Sequence, residues 1–298
     1  MTREVLTTVD SSVMQSMRTH RRARAVWKFF RLPTTAFASV ILLVFALLAL
    51  FPSFVAPFGE NESTRSYFGS PSTAHWLGTD QLGRDVMSRL IYGARESFIV
   101  GALAVVMGTM AGALLGILSG FFRGPVDYLA QRVVDVLMSL PGILMALVIA
   151  TGLGASLFNV SLAIAVAILP TSARVIRGAT LGVSSMPYIE ASRSSGAGNA
   201  RIIARHIVPN VAPPIIVIAS IQLGFAIIAE ASLSYLGLGV PLGTSTWGSM
   251  LSGSALLYVQ KAPWLGLAPG VALTLVIVAT NLLGDALRDA GDPRLRGR

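Results

Sequence analysis

The chain has 298 residues, of which 53% are hydrophobic and only 12% charged, and its mean hydropathy is +0.69. Soluble domains carry roughly 25% charged residues, so the composition excludes an ordinary soluble protein and places the chain in lipid. Cysteine is absent, which removes disulfides, thiol catalysis and cysteine metal sites, and the net charge of +9 points to nucleic acid only until its distribution is followed.

Residues 1–35 form a basic segment with Arg3, Arg18, Arg21, Arg22, Arg24, Lys28 and Arg31. Within residues 36–57, the apolar run Phe37 to Val55 is long enough to cross a bilayer at about 20 residues per helix. A signal peptide has an apolar core of only about 7–15 residues. This run is longer and ends in Pro52 and Pro57, which predicts an anchor that stays. Residues 58–96 are polar and rich in turn formers. They close on Val86, Met87, Leu90 and Ile91 at helical spacing with charge on the other face, a pattern that fits a short interfacial helix or a solvated loop helix.

A second span, Phe98 to Phe122, carries Gly108, Gly112, Gly116 and Gly120, four residues apart. Such a stripe lets another helix backbone approach closely, with lining of a pathway as the alternative. The third span, Tyr128 to Gly154, has Arg132 and Asp135 spaced to pair on one face, and Pro141-Gly142 predicts a kink. The fourth, Asn159 to Val175, contains Pro170 and ends in Arg174 and Arg177, whose long side chains can snorkel to the interface.

A polar stretch, Tyr188 to Asn210, interrupts the apolar pattern. Tyr188 to Ser195 reads as a short amphipathic helix with Pro187 at its start and Gly196 as its stop. Asn199 to Ile207 reads as a second, with Asn199 as cap and Pro209 opening the next segment. Val211 to Leu238 is the fifth span, a Gly/Ser/Thr-rich loop runs to Ala262, and Trp264 to Leu283 is the sixth. Six spans put both termini on one side. Of the 23 Lys and Arg residues, 18 fall on that side with the Glu190 loop, and only Arg65, Arg84, Arg89, Arg95 and Lys261 fall on the other. The positive-inside rule then makes the termini and the Glu190 loop cytoplasmic. The basic excess faces anionic lipid headgroups, and nucleic acid has nothing left to explain.

Catalytic patterns are missing. The sequence has no phosphate-cradling Gly-x-x-x-x-Gly-Lys-Ser/Thr, no His-Glu-x-x-His and no Gly-x-Ser-x-Gly, and His20, His75 and His206 lie far apart. No metal site and no enzyme are expected. The intramembrane ionisable group is Glu230, a functional candidate by default or a structural carboxylate satisfied by water or by a partner such as a serine hydroxyl. A proton-coupled carrier would want more than one such group.

Glu190, Ala191, Gly196 and Pro209 fit, in type and spacing, the cytoplasmic coupling motif of ABC-importer permeases. That motif is Glu-Ala-Ala, three residues, Gly, nine residues, Ile-x-Leu-Pro; here Ser192 stands for the second Ala, His206 for the Ile and Val208 for the Leu. Further blocks are His75-Trp76-Leu77-Gly78-Thr79-Asp80-x-x-Gly83-Arg84-Asp85, Glu230 to Gly239, Trp247-Gly248-x-Met250-Leu251 and Asn281 to Asp289. With these, the chain from about Trp27 to Arg294 resembles the C-type permease subunit of the dipeptide/oligopeptide/nickel branch of ABC importers.

The resemblance implies an all-α integral membrane protein with six transmembrane helices. It would have the type I ABC-importer permease fold, with N and C termini cytoplasmic. Its five-helix core (97–285) would include the coupling loop (178–210) and be followed by a cytoplasmic tail (286–298). It implies a non-catalytic subunit of a binding-protein-dependent importer in a prokaryotic plasma (inner) membrane. The cargo would be di- or oligopeptides, with nickel, glutathione or another small solute as alternatives and an ATPase-independent secondary carrier as the rival.

Partners would be a second, homologous permease, two ATPase subunits holding ATP and Mg, and an extracytoplasmic substrate-binding protein. This chain itself would bind no cofactor. Tyr188, Glu190, Ala191, Ser192, Gly196, His206 and Pro209 are the expected ATPase-coupling residues. Thr79, Asp80, Gly83, Arg84, Asp85 and Trp247 are candidates either for docking the binding protein or for folding the outer loop.

Overall fold

The computed structural model describes residues 33–241, 243–252, 257–258 and 260–291. The basic N-terminal segment up to residue 32 and the last residues of the tail lie outside them. Among the described residues the fold is all-helical apart from two isolated bridges, Ser63 with Arg84 and Thr79 with Asp85.

Helix α1 spans Pro33–Leu50. The chain breaks at Phe51, and Pro52, fixed in φ and lacking an N–H, starts a separate single turn, α2 (Pro52–Val55). The first apolar run is therefore not one helix. Helix α3, Val86–Phe122, has 37 residues and at 1.5 Å per residue reaches about 55 Å, well beyond a hydrocarbon core of about 30 Å. The expected short helix at Val86–Ile91 is the first part of α3 rather than a separate element. Asp85 caps it by accepting from the Ser88 N–H at 2.7 Å. On its charged face Arg89 finds tertiary partners in Asp80 and Ser245.

The third apolar segment is two helices, α4 (Gly124–Met138) and α5 (Gly142–Leu153), bent by 87° at Ser139–Pro141. Pro141 is extended at ψ 130°, so the kink read from Pro141-Gly142 is a full elbow. Helix α6 (Leu157–Ser184) starts on a Ser156 cap and carries Pro170. Then come α7 (Pro187–Ser194), α8 (Asn199–Ile202), a π-helical turn (Ile203–Ile207) and α9 (Val208–Tyr235). From Asn199 to Tyr235 the helical path is continuous over 37 residues. Pro209 does not open a new segment: it lies in the first turn of α9, where its missing N–H is tolerated next to the widened π turn. A capped turn, α10 (Trp247–Leu251), precedes α11 (Trp264–Gly291). Among the described residues five helices are long and apolar enough to cross a membrane, or six if the bent α4–α5 pair counts as one span.

Lipid is as apolar as leucine, so helix association in it rests on close packing. The glycine stripe of α3 supplies that packing. A Cβ added at Gly108, Gly112, Gly116 or Gly120 would meet the carbonyl oxygens of Ala165, Leu169, Ala173 and Arg177 at 2.5, 2.7, 2.5 and 2.9 Å. Four glycines thus face four successive turns of α6, backbone to backbone. Arg132 and Asp135 do not pair. Arg132 turns back onto Tyr128 (3.1 Å to the hydroxyl), while Asp135 accepts from Arg174 at 2.9 Å. Arg177 grips Asp127 with two hydrogen bonds of 2.6 and 2.5 Å. The two α6 arginines are held by α4 instead of reaching away.

Candidate functional site

Helix α7 begins with Pro187 at its first position, where the missing N–H is harmless, and has Glu190 in its first turn, where a carboxylate complements the helix dipole. Its end is a Schellman motif. The Ala197 N–H donates to the Ser192 carbonyl at 3.1 Å and the Gly196 N–H to that of Arg193 at 2.9 Å. Gly196 has φ +80°, which glycine adopts without a Cβ penalty. The stop read from Gly196 is what turns the chain. Asn199 is the first residue of α8 rather than its cap, which is Gly198.

The two short helices are pinned together and onto the bundle. The Ser192 hydroxyl lies 3.5 Å from Nε2 of His206 and donates to the Tyr188 carbonyl at 2.8 Å, and the Tyr188 and His206 rings are 6.0 Å apart. The Arg193 guanidinium covers the Phe121 ring at 5.2 Å. Beneath them Ile189, Ile202 and Ile207 are fully buried in a cluster with Ile117, Phe121, Ile176 and Val211. Ser192 and His206 are thus internal struts, whereas Tyr188, Glu190 and Ala191 are exposed. An eight-residue helix presents a carboxylate outward from a rigid base, and α8 runs without a break into α9.

At the opposite end of the bundle the predicted outer residues turn inward. Asp80 is 2% exposed. Its carboxylate accepts from the N–H groups of Leu82 and Arg84 at 2.8 and 2.9 Å, from Arg84 Nε at 2.8 Å and from Arg89 Nη1 at 2.6 Å. Asp85 caps α3 and contacts Nδ1 of His75 at 2.9 Å. Thr79 donates to the Ser66 carbonyl at 2.5 Å and accepts from the Gly69 N–H at 2.7 Å. Gly83 has φ +72°, and a Cβ there would run into the Thr64 carbonyl. Trp247 is fully buried, donating to the Leu90 carbonyl at 3.0 Å. All six are buried or half-buried.

Glu230 belongs to the same assembly. It is fully buried and accepts from the hydroxyls of Ser97 on α3 (3.0 Å) and Ser234 on α9 (2.7 Å). Ser97 in turn accepts from the Trp247 N–H at 3.4 Å. Buried carboxylates survive when their lone pairs are used in this way. The sequence reading missed Arg89, whose Nε donates to Ser245 at 2.9 Å, and Glu60, which accepts from the Ser245 N–H at 2.5 Å. No local signal marked them: Arg89 pairs with Asp80 across the loop, and Glu60 and Ser245 meet over a long stretch of chain. Among the described residues no three His, Cys, Asp or Glu side chains converge to hold a metal ion.

Comparison with known proteins follows the same lines. The family described as "Binding-protein-dependent transport system inner membrane component" matches residues 112–297. A glutathione transport system permease protein, GsiD, of Pectobacterium atrosepticum is 39% identical over 92% of this chain and 91% of its own. A dipeptide transport system permease protein, DppC, of Alkalihalophilus pseudofirmus is 39% identical over 86% of this chain and 84% of its own. The probable D,D-dipeptide transport system permease protein DdpC of Escherichia coli K12 is 36% identical over 93% of each. Among solved structures, an inward-facing MetNI methionine ABC transporter chain aligns with TM-score 0.55 and 19% identity, over 68% of this chain and 97% of that one. This last likeness concerns the fold.

Proposed function

Because the chain belongs to the family of binding-protein-dependent transport system inner membrane components, we propose that it forms half of the translocation route of a peptide importer. In this reading it sits in a bacterial inner membrane beside a second permease, and Glu190 presents the coupling helix to an ATPase. The termini and the Glu190 loop are cytoplasmic in this reading, which the basic excess on that side supports. ATP and Mg are held by two separate ATPase subunits, and a substrate-binding protein delivers cargo from outside.

The observation that carries this reading is the rigid connection below the membrane. Helix α7 exposes Tyr188, Glu190 and Ala191 while burying Ile189, so a groove on the ATPase meets a fixed surface with one carboxylate to set register. A push on α7 passes through Ser192 and His206 to the π turn, and from there along one continuous helical path to Tyr235. Movement of α7 and α8 therefore tilts α9 against α3 and α6. That is a rigid-body route from nucleotide-driven closure to alternating access.

Peptide cargo follows from the relatives, whose names specify dipeptides, D,D-dipeptides and glutathione. Glutathione is itself a short peptide, and its recurrence among the similar proteins favours it as the second reading. The test is uptake of labelled dipeptides, oligopeptides, glutathione and Ni²⁺ by cells lacking their own systems. The chain would be co-expressed with its neighbouring permease, ATPases and binding protein. The expected result is peptide uptake that needs every component. Uptake by this chain alone would replace the importer with a carrier, and uptake of Ni²⁺ alone would replace the cargo.

A further inference from the structure

Helix α4 exposes two stripes of opposite character. Tyr128, Arg132, Asp135 and Ser139 recur at i, i+4, i+7 and i+11 and are all exposed. One residue further on, Leu129, Val133, Val136 and Leu140 form an apolar stripe that is 54–69% exposed. Facing the polar stripe, α6 exposes Thr171, Arg174 and Gly178. The two polar stripes are joined by the Arg174–Asp135 ion pair, 2.9 Å long with both side chains 51% exposed.

Depth decides what this strip faces. A Cβ at Gly142, just past the elbow, would lie 3.6 Å from Ala167. Ala167 is ten residues and Thr171 fourteen residues into α6, whose 28 residues have their midpoint at Pro170–Thr171; a helix of about 42 Å centred on a hydrocarbon core of about 30 Å holds both within that core. Ser139 in the elbow and Thr171 one turn below Ala167 are therefore at membrane depth, and Arg174 follows about 5 Å further on. Half-exposed ions and hydroxyls at that depth do not face lipid; they line water or another polar surface. The apolar stripe beside them suits lipid or the second permease.

We propose that Arg132 and Asp135 of α4 and Ser139 in the elbow, with Thr171 and Arg174 of α6, form this chain's wall of the aqueous route. The Arg174–Asp135 pair is its contact for zwitterionic cargo. The inference rests on the importer reading and adds to it the residues that the cargo passes. One cation and one anion side by side are complementary to the carboxylate and ammonium of a free peptide, and an exposed pair is loose enough to exchange partners. A buried pair such as Asp80–Arg89 is not.

The absence of cysteine from this chain makes the test direct. Ser139→Cys, Thr171→Cys and Val136→Cys are placed singly in the complete transporter in proteoliposomes. They are then treated with a membrane-impermeant methanethiosulfonate, with and without dipeptide. A thiol must ionise to react, so the first two are expected to label at least about tenfold faster than Val136→Cys. Dipeptide slows that labelling. Adding Asp135→Asn abolishes the protection of Thr171→Cys by dipeptide while leaving its reactivity in the absence of cargo unchanged. A merely structural pair would not give this split.

Equal labelling of Ser139, Thr171 and Val136 variants in an active transporter overturns the wall. Protection that survives Asp135→Asn overturns the cargo contact. Wild-type uptake measured in parallel separates these results from failure of the importer reading. If the wild type moves no dipeptide, the peptide-cargo reading is contradicted whatever the cysteines do.

Discussion

The chain has two polar segments set between apolar helices, one before α3 and one between α6 and α9, and they use their charges in opposite ways. In the first, Asp80, Asp85 and Arg89 are buried and paired. In the second, Glu190, Arg193, Arg201 and Arg205 are exposed, and the burial is done by Ile189, Ile202 and Ile207. The charges buried in the first segment are spent on its own fold, while Glu62 and Arg65 stay exposed. The second segment hides its isoleucines and shows its charges. This contrast supports reading the Asp80 cluster as structure and proposing the Glu190 helix as an interface.

Breaking the first loop should do the greatest damage. Asp80→Ala leaves the buried Arg89 guanidinium without its carboxylate, a loss of about 3–5 kcal/mol for an uncompensated buried charge. The expected outcome is failure of the subunit to accumulate in membranes, measured by immunoblot against wild type. Accumulation at the wild-type level would show that the Asp80 cluster is not what holds the loop.

The two glycines give the sharpest comparison, since both have positive φ, +72° at Gly83 and +80° at Gly196. Gly83→Ala meets both the left-handed backbone penalty and the Thr64 carbonyl, together about 2–4 kcal/mol. At Gly196 nothing lies within 4 Å of the added Cβ, so Gly196→Ala costs only the backbone term, about 1–2 kcal/mol. Thermal unfolding of the purified complex should rank Gly83→Ala below Gly196→Ala. The reverse order would mean that the coupling turn is the more tightly packed of the two.

Ser97→Ala removes one donor to Glu230 and the acceptor for the Trp247 N–H, an expected loss of about 1–3 kcal/mol. Uptake per folded molecule should be retained, because the Glu230 cluster ties α3, α9 and α10 together as a strut. A specific loss of uptake at normal stability would promote Glu230 from strut to working group. At the small end, Glu190→Gln should leave the unfolding temperature unchanged, since its carboxylate is exposed and makes no ion pair among the described residues.

What was legible in the sequence follows from the range over which each signal acts. Hydropathy located every span, and Pro187 and Gly196 bounded α7 to within a residue, because caps and stops are local. The glycine stripe announced close packing for the same reason. The errors lay where a distant partner decided the outcome. Asp135 sits three residues from Arg132, yet pairs with Arg174, 39 residues away. Helix α3 runs on through Arg89, whose partners are Asp80 and Ser245. Pro141-Gly142 marked a bend, but its 87° angle depends on how α5 packs on α6. Pro209 read as a boundary, and the π turn before it carried the helix through.

The account stands or falls on Glu190. Glu190→Arg and wild type would be expressed with the full set of partners, matched for membrane level and unfolding temperature, and the ATPase retained on the purified permease pair would be measured. The account predicts normal stability with the ATPase lost and peptide uptake abolished. Full retention of the ATPase together with wild-type uptake would contradict it and leave α7 as an ordinary solvated turn.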